Sequence, residues 1–159
     1  MCEYENMIKE INRCINRINE LLNQNIRIDA IHFDQDKNTQ DFSKCAGVSW
    51  NELVFPNKDS IGVYFLLGRS EKDTYAIYIG KASFSRRIGN RFWDHLTGYR
   101  YKADYKKQGK DGTIYMIEYI GSINLDYIED GFLASSIEEY LIKKLGENFV
   151  LMNKVGNRK

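Results

Sequence analysis

The sequence predicts an α+β fold, with a small three-stranded antiparallel sheet flanked by helices and an N-terminal helical extension. Three runs rich in β-branched and aromatic residues predict the strands, and only a turn separates the first two. Apolar residues at helical spacing predict helices before, between and after those strands. Apolar residues make up 43% and aromatic residues 13% of the 159-residue chain, a composition typical of a folded globular protein.

An amphipathic helix is predicted over residues 4–24. Its apolar face must pack on the main body of the protein or on a second copy of the helix, and the sequence leaves both open. Residues 25–60 show little periodicity, and only a short strand at Ile28–Phe33 is predicted there. We therefore predict an N-terminal helix and irregular extension, residues 1–58, packed on a core domain, residues 59–159. The apolar stripe of the helix comprises Met7, Ile8, Ile11, Cys14, Ile15, Ile18, Leu21 and Leu22.

The core domain is predicted to open with a β-hairpin. The runs IGVYFLL and YAIYIG are its strands, and GRSEKD is its turn. The segment SRRIGNRFWDHLTG is predicted to be helical, with Ile88, Phe92 and Leu96 facing the core. After the polar loop YKADYKKQGKDG, the run TIYMIEYI predicts a third strand and GFLASSIEEYLIKKLGEN predicts the last helix.

Charge is concentrated in one segment, although the whole chain has a net charge of only +1. Residues 81–110 contain nine Lys and Arg residues against two Asp residues, a net charge of +7. A basic block in an otherwise acidic chain indicates a local site for a polyanion such as nucleic acid. The alternative is a solvated loop, which a run of charges alone favours.

Other features exclude several classes of protein. No apolar run approaches the roughly 18 residues that a membrane span needs. The acidic, polar N-terminus does not resemble a signal peptide, so a cytoplasmic protein is expected. Cys2, Cys14 and Cys45 are too few and too scattered to predict a disulfide framework or a zinc site.

The first core-domain helix aligns three cationic or titratable side chains. Arg87, Arg91 and His95 follow one another at intervals of four residues, on the stripe next to the apolar face. Two guanidinium groups and an imidazole in one line suit a phosphate, because a guanidinium offers two parallel donors to its oxygens. An ordinary basic helix is the alternative.

The last helix places a carboxylate among apolar residues. At about 100° per residue, Glu138 falls within the apolar arc from Ile137 to Ile142, which also contains Ala134, Leu141 and Leu145. A buried carboxylate is unfavourable unless it meets a cation or a metal. Glu138 therefore indicates either a metal ligand or an ion pair with one of the helix arginines.

These residues occur in an order that resembles the GIY-YIG nuclease family. The tripeptide GVY at 62–64 precedes YIGKA at 78–82, and an arginine with a histidine four residues later follows. IEEYLIKKL at 137–145 and a late asparagine complete the pattern. The resemblance covers residues 60–153 and implies that residues 59–159 form a nuclease domain.

The resemblance implies a role for each element of the two tripeptides. Tyr64 corresponds to the tyrosine that acts as general base or positions the attacking water, and Gly62 supports it. Tyr78 corresponds to the tyrosine near the scissile phosphate, with Gly80 and Lys81 as supporting residues. A tyrosine with an unperturbed pKa near 10 acts as a base only where nearby cations lower that pKa. Lys81, Arg87, Arg91 and the metal are expected to supply those cations.

The remaining motif residues are implied to bind the phosphate and the metal. Arg91 corresponds to the catalytic arginine, with Arg87 as the alternative, and His95 to its active-site neighbour. Glu138 corresponds to the metal-binding carboxylate, and Asn153 to a supporting asparagine. DNA contacts are expected from Lys81, Arg86, Arg87, Arg100, Lys102, Lys106, Lys107 and Lys110.

The function implied is a metal-dependent endonuclease that hydrolyses DNA phosphodiester bonds with one Mg²⁺ or Mn²⁺ per active site. The short chain favours a standalone or restriction-type nuclease. Double-strand cleavage would then need a homodimer or two successive events. A module of the same fold that binds nucleic acid without cutting it is the alternative.

Overall fold

A computed structural model of the chain describes residues 2–22, 25–32, 39–41, 55–84, 86–96, 105–126 and 132–153. Within them lie three helices and six strands, which confirms the α+β class. The helices are α1 (Glu3–Leu21), α2 (Ile88–Leu96) and α3 (Phe132–Leu145). The strands are β1 (Thr39–Asp41), β2 (Gly62–Ser70), β3 (Tyr75–Ala82), β4 (Lys106–Gln108), β5 (Ile114–Asn124) and β6 (Val150–Leu151).

The sheet is larger than predicted, and it is mixed. Its strands follow the order β1-β5-β2-β3-β6, and β4 also pairs with β5. The three long strands β5, β2 and β3 are antiparallel neighbours, as predicted, but β6 pairs with β3 in parallel. The prediction of a three-stranded, wholly antiparallel sheet is therefore corrected. The added strands contain only two or three residues, too few to show a period in the sequence.

The strand predicted at Ile28–Phe33 is not formed over residues 28–32, and Phe33 lies outside the described residues. Two asparagines of α1 take the place of a neighbouring strand. The Asn19 side chain exchanges hydrogen bonds of 2.7 and 2.8 Å with the backbone of Ile28. Asn12 does the same with Ile31, with both bonds at 2.7 Å. Ile28 and Ile31 therefore satisfy their backbone groups without pairing in the sheet.

Helix α1 packs on the rest of the protein through most of the apolar face that the sequence predicts, but Leu21, at the end of the helix, is 70% exposed. Met7, Ile11 and Ile15 are fully buried and belong to one core with Phe65 of β2 and Ile79 of β3. The sequence left open whether this face packs on its own chain or on a second copy, and the structure shows that its own chain covers it. The same core includes the buried residues of α3.

A second core lies between the opposite face of the sheet and α2. It contains Tyr64 and Leu66 of β2 and the buried face of α2 formed by Ile88, Phe92 and Leu96. Because side chains alternate along a strand, β2 supplies both cores. None of the helices described is long and apolar enough to cross a membrane.

Candidate active site

Tyr64 and Gly80 lie opposite each other on β2 and β3, and the glycine makes room for the tyrosine ring. A Cβ atom at Gly80 would lie 2.4 Å from both Cζ and Oη of Tyr64, much closer than van der Waals contact. The phenol therefore crosses the backbone of β3 at the one residue without a side chain. Gly62 serves a different contact, since a Cβ there would lie 1.9 Å from the carbonyl oxygen of Ile123.

A chain of hydrogen bonds joins Tyr64 to the basic segment. The Oη atom of Tyr64 lies 2.7 Å from Nε2 of His95, and Nζ of Lys107 lies 3.0 Å from Nδ1 of the same ring. A lysine ammonium group can only donate, so Nδ1 must accept and Nε2 must carry the ring proton. His95 then donates to the phenol oxygen of Tyr64. Lys107 thus fixes the tautomer of His95 and polarises it towards Tyr64.

Burial determines the protonation of this chain. Burial, followed by the positive charges of Lys107 and Arg91, lowers the pKa of His95 to about 3, so the imidazole is neutral at pH 7. Burial also raises the pKa of Tyr64 well above its ordinary value, and the neighbouring Tyr78 raises it further. Arg91 acts in the opposite direction but does not outweigh burial. The expectation that nearby cations lower the pKa of Tyr64 is therefore wrong for the protein alone.

Tyr78 closes the cluster on the side of β3. Its ring centroid lies 4.6 Å from that of His95 and 6.2 Å from that of Tyr64. Nζ of Lys107 lies 4.0 Å from the centroid of the Tyr78 ring, within the range of a cation–π contact. Burial raises the pKa of the Tyr78 hydroxyl, so both tyrosines are neutral at pH 7. Lys107, predicted as a peripheral DNA contact, thus lies inside the cluster.

Arg91, and not Arg87, is the arginine that α2 brings to this cluster. The positive charge of Arg91 acts to lower the pKa values of Tyr64, Tyr78 and Glu138. Its Nε is buried and has no hydrogen-bond partner within the described part of the chain. Arg87 is half exposed, and its closest acidic partner there is Asp126, at 3.9 Å.

Glu138 of α3 faces the cluster with a side chain only 21% exposed. Nζ of Lys81 lies 3.6 Å from its Oε2 atom and donates a hydrogen bond of 2.7 Å to Oγ of Ser135. The partner of Glu138 is therefore a strand lysine and not a helix arginine. Burial raises the pKa of Glu138, and the charge of Lys81 offsets part of that effect.

The donor set at Glu138 suits a metal that is held largely by other ligands. No group of three or more His, Cys, Asp and Glu side chains among the described residues could hold a metal ion. Mg²⁺, however, commonly binds through one or two carboxylates and completes its shell with waters and substrate phosphates. A single half-buried carboxylate near several cations fits that mode only when a phosphate is also present.

Asn153 holds the strand that carries Tyr78 and Gly80. Its Oδ1 atom accepts a hydrogen bond of 3.0 Å from the backbone N–H of Ile79, and its Nδ2 group donates one of 2.7 Å to the Ile79 carbonyl. The side chain is buried and follows β6, so it extends the pairing of β6 with β3 by one more residue.

The other predicted DNA contacts lie outside the cluster. Arg86 is exposed and pairs with Asp94 at 2.6 Å. Lys106 and Lys110 are exposed, while Arg100 and Lys102 lie outside the described residues.

The sequence did not predict that two further residues, Ser135 and Lys107, belong to this site. Ser135 orients Lys81, and its only signal was its position one helical turn before Glu138. Lys107 was one lysine of many in a polar segment, and nothing in the sequence indicated that it contacts His95.

Comparison with protein-family models, with curated proteins and with solved structures finds no match to this chain. A functional assignment therefore depends on the geometry of the cluster and on the motifs in the sequence.

Proposed function

We propose that the protein is a metal-dependent endonuclease that hydrolyses DNA phosphodiester bonds. The observation that carries the proposal is the convergence of five side chains from four separate elements. The rings of Tyr64 of β2, Tyr78 of β3 and His95 of α2 lie together, and the charges of Arg91 of α2 and Glu138 of α3 both act on the pKa values of the two tyrosines. These are the residues that the resemblance to GIY-YIG nucleases implies, and they include groups suited to each part of the reaction.

The phosphate would be bound by cations at the edge of the cluster. Arg91 has a buried Nε donor with no hydrogen-bond partner among the described residues, and an incoming phosphate would supply one. Preorganised cations stabilise the charge that develops on the phosphoryl oxygens in the transition state. In P-loop and kinase sites, arginine and lysine side chains do this work. Here Arg91 is the candidate for that role, with Lys81 beside it.

Tyr64 would position and deprotonate the attacking water. Its hydroxyl is the end of the chain that runs from Lys107 through His95. An Nε2–H donor on the phenol oxygen stabilises the phenolate relative to the phenol. Burial opposes ionisation in the free protein, so Tyr64 would position the water as a phenol and would accept its proton only as a phenolate, after losing its own proton. His95 itself has no free lone pair in this tautomer and acts through Tyr64.

Glu138 would hold the divalent ion together with a phosphate oxygen and water. When bound, Mg²⁺ or Mn²⁺ supplies a Lewis acid that stabilises the leaving oxygen. Lys81 is the counter-ion of Glu138 in the protein alone, and Ser135 gives its ammonium group a second partner. Lys81 is thereby placed to shift from the carboxylate to the phosphate.

Cleavage of a supercoiled plasmid in Mg²⁺ or Mn²⁺ tests the proposal, with Glu138→Gln as the key variant. The change removes the carboxylate charge and keeps the side-chain size. Glu139→Gln is the matched control, because Glu139 is exposed on the same helix. The wild type and Glu139→Gln should nick the plasmid, and Glu138→Gln should not.

Two results would contradict the proposal in different ways. Equal cleavage by Glu138→Gln and the wild type would remove Glu138 from the metal site. A wild type that retards DNA in a gel but never cuts it would indicate the non-cleaving nucleic-acid-binding module instead.

A further inference from the structure

Two exposed phenylalanines contact each other beside the site. Phe84 is 68% exposed and Phe132 is 66% exposed, and their ring centroids lie 6.3 Å apart at an interplanar angle of 80°. Aromatic rings contribute most to folding when they are buried. These two rings contact each other but leave most of their surface exposed to solvent. They therefore contribute little to the stability of the fold.

The backbone at Phe84 is strained. Its φ angle is +58°, in the left-handed region that bulky residues rarely adopt. Such conformations cost free energy and cluster at functional sites, where the surrounding structure holds them. The turn after β3 therefore presents an exposed aromatic ring from an unfavourable backbone conformation.

The pair lies close in the chain to the residues that join β3 to α3. Lys81 precedes Phe84 by three residues, and Ser135 follows Phe132 by three. The hydrogen bond from Lys81 to Ser135, 2.7 Å long, ties the end of β3 to the first turns of α3. Phe132 lies six residues before Glu138, which is about 9 Å along the helix axis. The two rings are therefore carried by the same two segments that the Lys81–Ser135 hydrogen bond joins, less than two turns of α3 from Glu138.

We propose that Phe84 and Phe132 form a binding site for an unpaired nucleobase next to the phosphate that is cut. The inference rests on the proposed function and names its substrate class, DNA with an unpaired base at the cleavage point. Proteins that bind single strands combine cations along the backbone with aromatic side chains on which bases stack. Lys81 and the exposed Arg86 flank Phe84 in this way. Both faces of a paired base are covered by its neighbours, so a paired base cannot stack on the rings without leaving the duplex.

DNA binding without cleavage tests this site. Three fluorescein-labelled duplexes of one sequence are compared by anisotropy in EDTA: fully paired, with one bulged thymine, and with a bulged abasic nucleotide. The abasic bulge bends the DNA similarly but has no base to stack. The wild type should bind the thymine bulge about tenfold more tightly than the other two, in the range measured for one base on an aromatic residue.

Two variants should abolish that preference and leave the affinity for paired DNA unchanged. Phe132→Ala removes one exposed ring, and Phe84→Asn removes the other with a residue that tolerates the left-handed conformation. Phe132→Trp, which keeps an aromatic face, should retain the preference. Thermal unfolding checks that each variant is folded.

Other outcomes would overturn the inference, and they separate it from the proposed function. Equal affinity for the thymine and abasic bulges, in a protein that still cuts plasmid, would overturn the base site alone. Loss of self-association in both variants with unchanged DNA preference would make the pair a contact between copies of the chain. If the wild type binds none of the DNAs and cuts no plasmid, the proposed function fails as well.

Discussion

Replacing Gly80 with alanine should damage the site by a route that the structure defines. The new Cβ would lie 2.4 Å from Cζ and Oη of Tyr64, whereas ordinary contact begins near 3.4 Å. The phenol must therefore move by about 1 Å, a shift that in well-positioned sites costs on the order of a hundredfold in rate. It cannot move freely, because the Tyr64 ring is 2% exposed and packs edge-on against Phe92 at 5.3 Å.

The shift should break the contact between Tyr64 and His95. That hydrogen bond is 2.7 Å long, and a displacement of about 1 Å takes it beyond the normal limit of about 3.2 Å. Overpacking of this kind also lowers the free energy of unfolding by about 1–3 kcal/mol. We expect Gly80→Ala to remain folded and to lose about a hundredfold in single-turnover cleavage of plasmid DNA at saturating protein.

Gly68→Ala is the matched control for this prediction. Gly68 lies on β2, as Tyr64 does, but at the other end of the strand, and a Cβ there would lie 2.7 Å from the carbonyl oxygen of Met116. This variant should lose stability in urea unfolding and keep its cleavage rate. If Gly80→Ala cuts within about twofold of the wild type, or if Gly68→Ala loses as much activity, the role assigned to Gly80 is refuted.

Three further predictions concern the supports of the site. Asn153→Ala should lower the free energy of unfolding, measured in urea, by about 1–3 kcal/mol, because two buried hydrogen bonds to β3 are lost. An unchanged midpoint of urea unfolding would contradict this prediction. His95 has a folded pKa of about 3, below its unfolded value near 6.5, so stability should fall as pH drops below 6.5. Between pH 7 and roughly pH 5 the wild type should lose about 2 kcal/mol more than His95→Asn; a similar difference for the exposed His32→Asn would refute the assignment. Lys107→Met should lower the single-turnover rate at saturating DNA about tenfold, the loss expected for one charge-assisted hydrogen bond. Lys107→Arg should restore part of that rate. If Lys107→Met changes only the affinity for DNA, Lys107 merely contacts the DNA backbone.

Long, regular elements of the fold could be predicted from the sequence, and short ones could not. Two apolar runs separated by a turn predict the hairpin of β2 and β3, and a stripe of apolar residues at helical spacing predicts α1. The short strands β1, β4 and β6 form because longer neighbours offer them free backbone groups, which no local pattern records. Similarly, the backbone of Ile28 is satisfied by Asn19, nine residues away, and not by a strand.

Within the site, residue types were predictable and partners were not. The helical arc placed Glu138 on a half-buried face, but its ion-pair partner among the described residues is Lys81 on β3, a contact that only the packing of α3 on the sheet creates. Spacing alone left Arg87 and Arg91 as alternatives, and the side on which α2 meets the sheet brings Arg91 to the tyrosines. The low exposure of Tyr64 is also a tertiary effect, and it reverses the direction expected for its pKa.

Removal of a single hydroxyl group tests the central claim most directly. Tyr64→Phe deletes the oxygen that contacts His95. Tyr4→Phe is the matched control, because it deletes a buried hydroxyl that donates to Glu118 at 2.7 Å, from a tyrosine in the core on the opposite face of the sheet. In single-turnover cleavage of plasmid DNA with Mg²⁺, Tyr64→Phe should lose about 10²–10⁴-fold, the range for a general base, and Tyr4→Phe should cut at the wild-type rate. Cleavage by Tyr64→Phe at the wild-type rate would contradict the account.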